Sequence, residues 1–501
     1  MFPAHSDVGK KEDNLSIALL GNRIHSDQTL VEYLIEFLLV FASPKNSDES
    51  GKMQFHSAEA IKNEKISYWV APQSALRRFI FYDNSKQESR SAMDSAANRR
   101  TWELLRRTAQ NGEEDIELIH DLLHSYAIVT RNRGWYAQAL LPVAPELLLT
   151  DLQGIKKRQK NENWNIDSKE IDTMFDIDKH NFLARGGQVI YLHLLQGLMF
   201  YEQRHPEARA KLQRLITNML AQSGENVGVL ANFVQKEWES TREYTVDMKH
   251  FNMGYIQDDF AIRSERFLRE VLNFLSNDIH PIARIELLSQ GFALSLLRSM
   301  HIVAHKKASP NNKEPVWVVD VSNQPGTSNI SRMASESYAE AYHSFLSAMT
   351  KICEERQFAA EDRFAFLQKG KQNTSDIFKD LGKEIKLVIP PCGGHERFSL
   401  SEQLVRYLVL ALVKPSTKIT FDSFLQKLYE NFRMVIAPAQ YRLAVADGAL
   451  ISDESMTDYF ETNAKAFQEF MKQCGFLRDL SDATAIVENP YREVKLDEAA
   501  D

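Results

Sequence analysis

Apolar residues recur at three- and four-residue spacing through most of the chain, the period of a helix that buries one face. Residues 26–42 show it plainly: Ser26 and Asp27 offer capping oxygens, and Leu30, Tyr33, Leu34, Phe37, Leu38 and Phe41 follow on one side. The same spacing predicts helices over Asp94–Ala109, Glu113–Thr130, Phe260–Leu275, Arg284–Val303 and Ser331–Gln357. The middle region, about 180–305, reads as wholly helical. Runs rich in β-branched and aromatic residues are few and short: Ile66–Ala71, Arg78–Tyr82 and Val316–Val321. The expected fold class is therefore mainly α and multi-domain, with few short strands.

Stretches without an apolar face divide the chain. Asp151–Asp178 carries Lys156-Lys157-Arg158-Gln159-Lys160-Asn161-Glu162-Asn163 and reads as a linker or exposed loop, and Lys306–Pro315 contains Pro310-Asn311-Asn312. These breaks predict a helical N-terminal domain with a small β element over 1–150, the linker over 151–178 and a helical central domain over 179–305. A strand–loop–helix connecting region over 306–389 and a C-terminal module over 390–495 complete the division.

The C-terminal pattern is the richest. Ser399 sits at a helix start, with Leu400, Leu404, Tyr407, Leu408, Ala411 and Leu412 on one face and Pro415 beyond the end. Thr420 caps a second helix with Phe421, Phe424, Leu425, Leu428 and Tyr429 inward, and Val435-Ile436 reads as a short strand. A third helix over Asp453–Gln473 ends at Cys474-Gly475. Phe476–Leu480 and Thr484–Val487 then form a hairpin around Ser481-Asp482-Ala483. Three helices and a hairpin in this order resemble the winged-helix family, apart from the long segment 437–452 between the second and third helices. Many members of that family read DNA with the third helix. Here ten Lys/Arg face twelve Asp/Glu between Glu396 and Val487, and the third helix holds Asp453, Glu454, Asp458, Glu461 and Glu469 against Lys465 and Lys472. Phosphate repels such a helix, so the resemblance implies protein contact in place of groove reading.

Composition narrows the class further. The 501 residues are 44% hydrophobic and 26% charged, with only 20 Gly and 15 Pro, a balance that favours long helices over turn-rich sheet. Net charge is −8, so any nucleic-acid surface must be a local patch. The three cysteines are far apart and form no C-x-x-C pair, in keeping with a reducing cytoplasm. The apolar run Leu30–Phe41 is too short to span a bilayer and contains Glu32 and Glu36, so no membrane role is expected.

Candidate chemistry is sparse. There is no G-x-x-x-x-G-K-[ST], no strand-linked G-x-G-x-x-G and no G-x-S-x-G, and neither cofactor nor metal is expected. The segment Arg77–Arg107 carries eight Lys/Arg against four acids, with Arg77, Arg78, Arg99, Arg100, Arg106 and Arg107 beside Phe79, Phe81, Tyr82 and Trp102. It is a nucleic-acid or acidic-partner patch, or else a solvated amphipathic face. Arg131, Arg133 and Trp135 around Gly134 form either a phosphate clamp or a plain helix end. Arg185 with Gly186 and Gly187 precedes an apolar helix, as an anion site or a tight turn. His120 and His124 share a helix face at metal-ligand spacing but lack an evident third ligand, and Asp320 ends a strand as a catalytic acid or an ordinary turn residue.

Runs such as Asp27–Phe41 and Arg397–Tyr429 look like those of accessory subunits encoded beside ATPases or helicases in prokaryotic DNA-processing and anti-phage operons. The expectation is a non-catalytic scaffold or adaptor in a cytoplasmic assembly, with an ATPase, helicase or nuclease as neighbour. The alternatives are weak nucleic-acid binding through 77–107, or an enzyme with a non-standard site near His120/His124 or Asp320.

Overall fold

Why the helical period dominates is visible in the computed structural model of the chain, which describes residues 14–24, 30–57, 60, 66–70, isolated positions between 103 and 114, 186–221, 249–310, 313–322, 329–453, 455–481 and 484–496. These residues are mainly helical with few short strands. In chain order they form α1 (Leu15–Leu20), α2 (Leu30–Ala42), β1 (Ser67–Val70), α3 (Gly186–Tyr201), α4 (208–221) and β2 (Lys249–Asn252). Then come α5 (Ala261–Leu275), α6 (Pro281–Ala308), β3 (Trp317–Val318), α7 (Asn329–Glu355), α8 (Ala360–Gln372), α9 (Ser375–Glu384), β4 (Val388–Ile389) and β5 (Arg397–Phe398). The C-terminal part holds α10 (Glu402–Leu412), β6 (Lys418–Thr420), α11 (Phe421–Phe432), β7 (Met434–Val435), α12 (Pro438–Ala446), α13 (Met456–Gln473), β8 (Leu477–Ser481) and β9 (Thr484–Glu488).

The hub is α6. It packs against α2, α5, α7, α9 and α10, and its apolar residues point in all directions because neighbours surround it. Its stretch Ala283–Ala308 has the length and hydropathy to cross a bilayer, and the most apolar part of that stretch is buried inside the protein. The helices meet closely where side chains are absent. A Cβ on Gly291 of α6 would lie 2.1 Å from the ring of Tyr407 on α10, so only glycine lets these two helices approach.

The strands tie distant segments together. β1 pairs antiparallel with β2, from Ser67 opposite Asn252 to Val70 opposite Lys249. Among the described residues, the middle region thus adds a strand to its helices, and the partner of that strand lies in the N-terminal part. β3 pairs parallel with β7, Trp317 opposite Met434 and Val318 opposite Val435. β4 and β5 form a hairpin, and β6, β9 and β8 form an antiparallel sheet in that order. One buried apolar cluster runs from Leu15 to Val487, across the expected boundaries at 305 and 389. Asn489 belongs to the same seam: its buried amide donates to Asn277 Oδ1 at 2.7 Å and to the Val413 carbonyl at 2.8 Å.

Buried polar groups are held in defined protonation states. His56 donates from Nε2 to the Ser67 carbonyl at 2.7 Å and meets the Tyr191 hydroxyl at Nδ1, 2.9 Å away, which fixes a neutral ring. Burial pushes this imidazole down to about 4, with the charges of Lys45 and Arg209 adding to the effect. Burial likewise lowers His193, which lies against Phe260 and Phe267. His301 accepts from Trp317 Nε1 at 2.9 Å and is held well below the usual imidazole range by burial and Arg298.

Two outcomes follow. Gly291→Ala is expected to cost about 1–3 kcal/mol by overpacking against Tyr407, read as a lower midpoint in denaturant; an unchanged midpoint contradicts the close approach. The second concerns acid. Above the ordinary imidazole value of 6.5, His56 is neutral folded or unfolded and its contribution is complete. As pH falls towards about 4, the unfolded chain binds the proton first and stability is lost. His56→Gln is expected to flatten the acid fall in stability by about 3 kcal/mol across that window. A variant curve parallel to the original removes His56 from the account.

Candidate functional site

In the C-terminal part, α13 has a sharply divided surface. Met456, Phe460, Asn463, Phe467 and Met471 fall on one side and are buried. Asn463 anchors that side: its Oδ1 accepts from the Val321 N–H at 2.9 Å, and its Nδ2 donates to the carbonyls of Val319 at 2.9 Å and Ile436 at 3.0 Å. The helix is thereby fixed beside the β3–β7 pair.

The outer side carries Asp458, Tyr459, Glu461, Thr462, Lys465 and Glu469, all exposed. Lys472, the nearest further cation, is engaged by Glu469 at 2.7 Å and Asp479 at 2.8 Å. These two carboxylates hold its ammonium above the usual lysine range. The face is left acidic.

Beside it, the segment 447–455 projects an apolar side chain. Ile451 is 90% exposed, with Leu443 at 40% and Tyr459 at 39%. Its backbone is held in place: the Tyr441 hydroxyl donates to the Ile451 carbonyl at 3.0 Å and accepts from the Asp453 N–H at 2.9 Å. The Tyr441 ring in turn stacks on Phe460 with centroids 4.8 Å apart. A second clamp closes the other end. Arg433, in the left-handed conformation that ends α11, reaches Asp447 at 2.6 Å and lies over the Tyr429 ring at 4.4 Å. Its bond to Asp447 lowers that carboxyl, while burial raises the Tyr429 hydroxyl to about 12.

Few of the sequence candidates lie among the described residues. Arg77, Arg78, Arg99, Arg100, His120, His124, Arg131, Arg133, Trp135 and Arg185 lie outside the described residues. Arg106 and Arg107 are helical and exposed. Gly186 and Gly187 open the fully packed start of α3, not a surface turn. A Cβ on Gly186 would lie 2.2 Å from the Tyr33 ring, and the Gly187 N–H donates to Glu36 Oε2 at 2.8 Å. The acceptor at this helix start is the chain's own buried carboxylate. Asp320 is buried as a turn residue, accepting from Arg397 Nε at 3.0 Å and from the Ser322 N–H at 3.0 Å and hydroxyl at 2.6 Å.

Among the described residues, no three His, Cys, Asp or Glu side chains gather as metal ligands. The Ile451 projection has no marker in the apolar spacing of the chain. Its only signal was the segment 437–452 that interrupts the winged-helix pattern, which holds α12 and the turn after it. No family model, curated protein or solved structure matches this chain.

The Arg433–Asp447 clamp makes its own prediction. Because the folded carboxyl titrates below 3.8, its contribution is present above that pH and is lost as pH falls further. Asp447→Asn is therefore expected to melt below the wild type at neutral pH, with the gap closing in strong acid. A gap independent of pH contradicts the ionic clamp.

Proposed function

We propose that the chain is a non-catalytic adaptor subunit of a cytoplasmic multiprotein assembly, and that its winged-helix-like C-terminal part takes a protein partner on the outer face of α13. The observation that carries this reading is the acidic outer face of α13 beside the projecting Ile451. A helix that enters a DNA groove needs cations to meet phosphate. Asp458, Glu461 and Glu469 oppose that, whereas exposed Ile451, Leu443 and Tyr459 are the kind of side chains protein partners cover.

The winged-helix likeness draws support from strand order. The strand after the first helix, β6, pairs with the last strand, β9, which pairs with β8. A terminal hairpin closed on the strand between the first two helices agrees with the helix, helix, helix, hairpin order on which the likeness rests. The extra helix α12 is this chain's departure, and it carries Leu443 of the proposed contact. The setting we favour is a prokaryotic DNA-processing or anti-phage complex with an ATPase, helicase or nuclease as the partner. An enzymatic role at Asp320 is less favoured, because Arg397 and Ser322 already engage its carboxylate.

In extracts of its native cells, tagged protein is expected to elute in gel filtration ahead of the purified chain. Ile451→Asp combined with Asp458→Lys and Glu461→Lys is expected to return it to the position of the purified chain without lowering its unfolding temperature. Elution of the wild type with the purified chain overturns the adaptor reading. A large complex that survives the triple substitution overturns the role of this face.

A further inference from the structure

Along α5, charge of the opposite sign collects. A cavity of about 370 Å³ opens where the end of α3 meets α4, α5, the end of α10 and α11. That volume is on the scale of small-ligand pockets, roughly 300–1,000 Å³. Five cations line it: Lys211 on α4, Arg266 and Arg269 on α5, Lys414 just past α10, and Lys427 on α11. Two carboxylates, Glu207 and Glu270, oppose them. Glu270 is already neutralised from behind by Arg263 Nη2, 3.0 Å away and fully buried. Glu207 is highly exposed and lies 3.8 Å from His205. In a chain of net charge −8, five cations converging on one cavity are a local reversal.

Helix C-termini attract cations on their own account, and Arg266 fits that explanation because its guanidinium donates to the Glu430 carbonyl in the last turn of α11. The remaining cations are loosely held. Lys211 stands 3.4 Å from Glu493 across two exposed side chains, and Arg269 stands 4.0 Å from Glu265. Lys414 and Lys427 form no ion pair among the described residues. These side chains are available to a ligand at little cost in broken contacts.

The wall also holds an aromatic ring. Tyr201, the last residue of α3, lines the cavity and is stacked on His205 with centroids 4.2 Å apart and planes at 24°. A ring held flat beside a cluster of cations offers a stacking surface next to phosphate-binding charge.

We propose that this cavity binds nucleotide phosphates, held by Arg269, Lys414 and Lys427, with a base resting against Tyr201. The ligand is either a single strand threaded through the cavity or a free nucleoside triphosphate, since both present the same phosphate-and-base chemistry. The site is independent of α13 and does not rest on the protein contact proposed there.

Fluorescence anisotropy of a labelled single-stranded oligonucleotide, with competition by a nucleoside triphosphate and by inorganic triphosphate, tests this on the full chain. Binding is expected to weaken with salt by a log–log slope of about 0.7 per phosphate contacted. Lys414→Glu with Lys427→Glu is expected to reduce affinity about tenfold or more and to remove roughly two contacts' worth of slope. Tyr201→Ala is expected to weaken binding about tenfold with the slope unchanged, and Lys427→Arg to retain it. Unfolding temperatures near the wild type's establish that the variants fold.

Displacement of the strand by low concentrations of nucleoside triphosphate identifies the free nucleotide as the preferred form; resistance to it identifies the strand. Absence of binding by both at low salt, or binding indifferent to the double reversal, overturns the site. Inorganic triphosphate competing as well as the nucleoside triphosphate overturns the part given to Tyr201.

Discussion

Arg263 and Glu270 lie on α5 with their side chains sealed from water, the guanidinium Nη2 3.2 and 3.0 Å from the two carboxylate oxygens. Taking two charges out of water costs several kcal/mol each, and only close pairing with further hydrogen bonds offsets it. Here the extra bonds come from another part of the chain. Arg263 Nη1 donates to the Asn431 carbonyl at the end of α11 and its plane lies 4.4 Å from the Phe432 ring. Burial pushes the Glu270 carboxyl up, and Arg263 opposes that shift. The pair thus cannot be buried unless the C-terminal helices are in place. Once it is, it ties α5 to the end of α11, and Glu270 lines the cationic cavity.

The same arrangement explains how an acidic protein keeps two surfaces of opposite sign. Glu270 is the carboxylate best placed to cancel the cavity's cations, and Arg263 withdraws it from that task. On α13 the reverse happens, because Lys472 is absorbed by Glu469 and Asp479 and leaves Asp458 and Glu461 facing water. Charge on this molecule is sorted by which ions are paired internally. A phosphate-bearing ligand and a protein partner therefore need not compete for one face.

Local periodicity made much of the helical frame legible. Helices α2, α5, α6, α7, α10, α11 and α13 follow from apolar spacing, and Gly475, with φ of 80°, ends α13 where the sequence places it. What the spacing lacks is any record of partners. β3 holds only two residues and owes its existence to β7, more than a hundred positions later. Gly186 and Gly187 read as an anion site or a tight turn because α3 is buried from Gly186 to Leu198 and has no polar stripe there to mark it. Helix α12 escaped notice for the opposite reason: only Gln440, Tyr441 and Ala444 are buried along it, too few to give a period. The cationic cavity was invisible in sequence because its residues come one or two at a time from separate helices, while the arginine-rich stretch that drew attention is local and lies largely outside the described residues.

The pairing of β3 with β7 and of Asn277 with Asn489 has a consequence for how this protein is made. A ribosome releases α5 and α6 before the residues that cover them, so the nascent chain carries unfinished apolar surface until β7, α13 and Asn489 follow. Chains that stop early never acquire β7, α13 or Asn489, and they present that surface permanently to chaperones and proteases. Residues 434–489 complete the cover of helices translated well before them.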